Sequence, residues 1–157
     1  DGFSKSYAMT GWRLGYGIVP EELVPHVVKL AVNSVSCAAT FTQKAGIAAL
    51  EGPKDGVEAM AAEFAVRRRL IADGLRSIPG IKCPEPEGAF YAFPSIEGTG
   101  LSSGEFEDRA MAEAGVALLS GGAFGEYGEG YVRLSYANSQ ENIQKAIDQL
   151  DRLVRAL

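Results

Sequence analysis

Ser4-Lys5-Ser6-Tyr7-Ala8-Met9-Thr10-Gly11-Trp12-Arg13-Leu14-Gly15-Tyr16 is the most informative stretch of this chain. Residues 1–13 show no clean hydrophobic period and are rich in small and hydroxyl side chains, as expected of a loop that carries a site. Lys5 is a lone cation among Ser4, Ser6, Tyr7 and Ala8. A desolvated lysine amine loses its proton more readily and can attack a carbonyl to form a Schiff base. Arg13, further along the same loop, offers a planar fork suited to a phosphate. A carbonyl electrophile with a phosphate handle describes pyridoxal phosphate, but the spacing by itself fits an exposed lysine and a surface arginine equally well.

Around this loop the chain has 157 residues, of which 46% are hydrophobic and 22% charged. That is enough apolar material to bury a core. The formal net charge of −5 argues against nucleic acid, which needs clustered positive charge. Nineteen glycines, about 12% of the chain, exceed the usual 7% or so and mark backbone positions with unusual dihedrals or close approaches. Cys37 and Cys83 form no C-x-x-C pattern, so no disulfide framework is expected and a reducing cytoplasm is the default. Neither a signal peptide nor an apolar run long enough to span a membrane is present. The chain begins at Asp1 rather than Met, just ahead of Lys5, so it is expected to be part of something longer.

Elimination narrows the chemistry. The single histidine, His26, follows Pro25 at a helix start, which leaves Ser-His-Asp and Cys-His sites poorly supported. No H-E-x-x-H, paired cysteines or acidic calcium loop supplies metal ligands, so no metal site is expected. The glycines at 121, 122, 125, 128 and 130 match neither nucleotide phosphate-loop pattern. Lysine chemistry remains.

The pattern of the chain predicts a short strand at 14–19, then a helix opened by Glu21 and Glu22 with Leu23, Val27, Leu30 and Ala31 as its apolar stripe. A second helix is expected at about 41–50, stopped by Gly52-Pro53, and a long third one from Val57 to Ile78, stopped by Pro79-Gly80. Its arginines 67–69 suit a solvated face paired through Glu63 better than a nucleic-acid patch. Strands are expected at 81–83, 89–93, 116–119 and 131–136. Ser102 with Glu105 makes a capping box for one helix, and Ser139 caps a last one with Ile143, Ile147, Leu150 and Val154 inward. From residue 80 onward this is a small α/β layer in β-β-α-β-β-α order.

The string from Ser4 to Tyr16 resembles the lysine signature of the class I/II aminotransferases, a fold-type I pyridoxal-phosphate family, in its aspartate-aminotransferase-like branch. The resemblance continues through Pro86-Glu87-Gly88-Ala89-Phe90-Tyr91 and through Gly128-Glu129-Gly130-Tyr131-Val132-Arg133-Leu134-Ser135-Tyr136-Ala137, and covers the whole chain. It implies the C-terminal part of a fold-type I α/β enzyme: residues 1–52 as the end of the large cofactor domain, and residues 53–157 as a linking helix with the small C-terminal domain.

By position, Lys5 matches the catalytic lysine bonded to the cofactor as a Schiff base, Arg13 the arginine on its phosphate, and Arg133 the arginine that grips the substrate α-carboxylate. The implied activity is amino-group transfer between an amino acid and a 2-oxo acid, in a cytoplasmic homodimer. The lysine stands at position 5, so the family's ring-binding residues have no counterparts in these 157 residues, and the isolated chain is expected to be inactive. Gly2 stands where some relatives place a phosphate-bonding hydroxyl, and residues 30–43 hold no Lys or Arg for a second carboxylate. The alternatives are a fold-type I lyase or synthase and a catalytically silent structural fragment.

Overall fold

The computed structural model describes residues 1–157. It divides into two compact units, Asp1–Met60 and Ala61–Leu157.

The first unit holds the opening loop, a short 3-10 turn at Thr10–Trp12, another at Glu21–Leu23, helix α1 (Val24–Ser34) and helix α2 (Thr40–Glu51), and it ends in the first residues of helix α3 (Asp55–Arg76). Pro25 lies in the first turn of α1, where its missing N–H costs nothing. Gly52 closes α2 by donating its N–H to the Ala48 carbonyl at 2.8 Å. The expected strand at 14–19 is absent. Gly15 makes a single bridge to Gly2, and Ile18 beyond it is 91% exposed, because a strand needs a continuous partner and here finds one residue of pairing. The predicted apolar stripe of the first long helix is also largely uncovered, with Leu23, Val27 and Leu30 exposed and only Ala31 half-buried.

The second unit carries the core. Helix α3 buries Ile71, Ala72 and Leu75. Strands β1 (Tyr91–Ala92), β2 (Leu119–Ser120) and β3 (Val132–Ser135) form an antiparallel sheet in the order β1-β3-β2. The registers are Tyr91 opposite Ser135 and Leu119 opposite Arg133. The sheet is shorter than predicted. The 81–83 segment contributes one bridge, from Lys82 to Ser95, and the 116–119 segment pairs only at its end.

Helix α4 (Ser103–Ala112) starts at the predicted capping box. Ser102 Oγ accepts from the Glu105 N–H at 3.3 Å, and Glu105 Oε2 accepts from the Ser102 N–H at 3.0 Å. Hydrogen bonds from the Ser102 side chain and backbone hold the Glu105 carboxyl below the usual glutamate range. Helix α5 (Gln140–Arg155) is capped by Ser139 and buries Ile143, Ile147, Leu150 and Leu153, an amphipathic stripe at helical spacing. On α3, Arg67 pairs with Glu63 at 2.7 Å and Arg68 with Glu85 at 3.3 Å, so two of the three arginines are engaged by carboxylates. Both cysteines are free, and burial pushes the Cys83 thiol up. No helix is long and apolar enough to cross a membrane.

Candidate functional site

The loop that bears Lys5 and Arg13 is held at its ends and left open at its tip. Phe3 and Met9 are buried and flank the turn that carries Lys5. Backbone bonds from the Phe3 N–H to the Leu14 carbonyl and from the Met9 N–H to the Phe3 carbonyl fold the segment back on itself, at 3.2 and 3.3 Å. Helix α2 meets the loop closely at Gly46, where any Cβ would overlap the side chain of Leu14. Lys5 is exposed at the turn, and its carbonyl accepts from the Ala8 N–H at 3.1 Å.

Two residues of this loop, Ala8 at φ 53° and Arg13 at φ 54°, sit in the left-handed region. That conformation costs an L-residue about 1–2 kcal/mol and concentrates at functional sites, where it aims a side chain. Arg13 Nη1 donates to the Thr10 carbonyl at 2.8 Å, which orients the guanidinium and uses only one of its donors. Arg13 lines an open groove of about 930 Å³ together with Ala8, Trp12, Cys37, Phe41 and Thr42. Trp12 and Phe41 stand 6.2 Å apart, centroid to centroid. The groove wall therefore combines a cation with flat aromatic surface. Lys5 does not line it but lies three residues before Ala8, which does.

Lys54 went unnoticed in the sequence. Its Nζ lies 5.3 Å from the Tyr7 ring centroid and donates to the carbonyls of Ala49 and Leu50, each at 2.7 Å. It ends α2 as a cation on the last carbonyls, a role that a lysine just past Gly52-Pro53 could have signalled.

Arg133 lies in the second unit, on β3. Val132 and Leu134 point into the core, so Arg133 and Ser135 alternate to the other face of the sheet. No oxygen in the structure accepts a hydrogen bond from the Arg133 guanidinium, and no carboxylate pairs with it. Its contacts are aromatic: Cζ lies 4.4 Å from the centroid of the Tyr91 ring and 4.4 Å from that of Phe124. A cavity of about 170 Å³ opens beside it, lined also by Tyr91, Leu119 and Ser135.

The glycine-rich segment that leads to Arg133 is two 3-10 turns, Gly121–Phe124 and Glu126–Gly128. Gly121 and Gly128 cross backbone to backbone, so that a Cβ on either would collide with the carbonyl of the other. This crossing explains why glycine is required at both ends. Gly130, at φ 82°, then donates its N–H to buried Ser103 Oγ at 2.8 Å. Ser103→Ala should cost about 1–3 kcal/mol, because it leaves the Gly130 N–H buried without an acceptor. Urea unfolding checks this, and an unchanged midpoint would show that the bond contributes nothing.

At the far end of the sheet, the Tyr136 hydroxyl donates to the Ala89 carbonyl at 3.0 Å and pins a left-handed alanine at φ 56° just before β1. Burial pushes the Tyr136 phenol up, opposed by the nearby Arg68.

An amine on an ordered turn, a guanidinium with spare donors on a groove and a second guanidinium with none of its donors used are the groups that an aldehyde, a phosphate and a carboxylate require. The donor set thus fits pyridoxal phosphate and an amino acid. A family model for the class I and II aminotransferases matches residues 1–150. The aspartate aminotransferase of Pyrococcus horikoshii is 43% identical over 152 residues, covering 96% of this chain and 39% of that protein. The aromatic-amino-acid aminotransferase 2 of Thermococcus litoralis is 42% identical, with 99% of this chain and 40% of its own length covered.

Among solved structures, the aromatic aminotransferase of Pyrococcus horikoshii OT3 superposes with a TM-score of 0.95 at 41% identity, over 99% of this chain and 42% of that one. The chain spans about 40% of the length of the relatives it matches. With one family model matching nearly its whole length, the chain belongs to the class I and II aminotransferases.

Proposed function

We propose that the intact protein carrying this chain is a pyridoxal-phosphate-dependent aminotransferase that moves an amino group from an amino acid to a 2-oxo acid. Residues 1–52 then belong to the large cofactor domain, and residues 53–157 are the linking helix and small domain. The observation that carries this reading is the loop of residues 1–16, where buried Phe3 and Met9 hold Lys5 on an exposed turn and a left-handed backbone aims Arg13 at a groove.

Lys5 Nζ and the Arg13 guanidinium would hold the cofactor by its aldehyde carbon and its phosphate. When bound, the cofactor supplies an electron sink for the charge left at the substrate Cα. Arg133 binds the substrate carboxylate through its planar fork and so fixes the direction of the Cα–H bond. Lys5 Nζ, freed when the substrate amine takes its place, would then take the Cα proton and hold it for return, the work of a positioned general base. The uncovered apolar face of α1 supports burial against the rest of the intact protein, and a cytoplasmic homodimer is what the family implies.

The test is amino-group transfer by the intact protein from a panel of amino acids to 2-oxoglutarate. The expected result is glutamate formed in equal amount to a new 2-oxo acid. Release of ammonia or pyruvate without glutamate would instead mark a lyase or synthase of the same fold.

A further inference from the structure

We propose that Tyr91 and Phe124 are positioning residues that clamp the Arg133 guanidinium between their rings and present its N–H edge to the substrate carboxylate, a role that rests on Arg133 being the carboxylate anchor. Both ring centroids lie 4.4 Å from Arg133 Cζ. Each ring therefore makes its own cation–π contact with the guanidinium. Aromatic rings attract a guanidinium through their quadrupoles without taking its hydrogen-bond donors, which stay available for a carboxylate.

Each jaw is itself supported. Tyr91 is fixed by its register opposite Ser135 and lies 4.5 Å from the Phe90 ring. Phe124 is met edge-on by Phe93 at 6.0 Å and 84°, and Phe93 stacks on Tyr131 at 5.5 Å and 7°. Phe124 also closes the turn pinned by the Gly121–Gly128 crossing. A long arginine stem on a sheet face would otherwise sample many rotamers, and binding would have to select one of them. Held by two rings, with no acceptor among these 157 residues competing for its donors, the guanidinium is preorganised for a carboxylate in the adjacent cavity of about 170 Å³.

The experiment is steady-state kinetics of the intact protein with 2-oxoglutarate as varied acceptor. Tyr91→Leu and Phe124→Leu are each expected to raise KM about fivefold, in line with a cation–π contact at a partly exposed site, with the loss falling on KM rather than kcat. Tyr91→Phe and Phe124→Tyr, which keep the rings, should recover KM to within about threefold of wild type. In an Arg133→Ala background neither leucine variant should lower kcat/KM further, because the clamp has nothing left to hold.

An unchanged KM in the leucine variants refutes the clamp, as does an equal loss in the ring-keeping variants or an undiminished loss in the Arg133→Ala background. If Arg133→Ala lowers kcat/KM while the leucine variants do nothing, the clamp alone fails. If Arg133→Ala leaves kcat/KM intact, the anchor role of Arg133 fails with it.

Discussion

Lys5→Ala in the intact protein should lower amino-group transfer by about 10³-fold or more while leaving the thermal unfolding midpoint nearly unchanged, because a positioned general base alone is worth about 10²–10⁴-fold. The side chain is exposed on a turn whose fold is held by Phe3, Met9 and backbone bonds rather than by Lys5 itself. Lys54, in the same unit, spends its ammonium on the carbonyls of Ala49 and Leu50 at the end of α2. Lys5→Arg should be as inactive as Lys5→Ala, since a guanidinium neither attacks an aldehyde nor gives up its proton near neutral pH. Parallel transfer assays and melting curves check both halves. Residual transfer within tenfold of wild type would mean that another residue is the base.

Arg133→Ala should lower kcat/KM for amino acid and 2-oxo acid alike by about 10²-fold, near 2.7 kcal/mol, the scale of losing a charge-assisted pair of hydrogen bonds to a carboxylate. The stability cost should be small, because Arg133 faces away from the core that Val132 and Leu134 fill. Arg133→Lys should recover only part of the loss. A lysine keeps the charge but has no planar fork, and it cannot lie flat between Tyr91 and Phe124. Equal kcat/KM for carboxylate substrates in wild type and Arg133→Ala would remove Arg133 from the substrate site.

The helices were legible because their signals are local. Ser102 with Glu105, Ser139, Pro25 and Gly52 each act within a few residues, and the structure finds them at the predicted ends. Strands depend on distant partners. Residues 14–19 have the composition of a strand, yet the backbone finds only the Gly2–Gly15 bridge, and residues 81–83 likewise keep one bridge. The site followed the same division. Lys5, Arg13 and Arg133 stood out by motif, whereas the rings around Arg133 depend on the register of β1 on β3 and on the turn at 121–124. The glycine excess could be seen in the composition, but one of its causes, the mutual approach of Gly121 and Gly128, exists only once the chain is folded.

Lys5 is expected to carry the cofactor. Borohydride reduction of the intact protein with pyridoxal phosphate, followed by proteolysis and mass spectrometry, tests it without relying on turnover. The expected result is one phosphopyridoxyl group per chain, on Lys5, and none in Lys5→Ala. A label on Lys54 or any other lysine, or no stoichiometric label at all, would contradict the account.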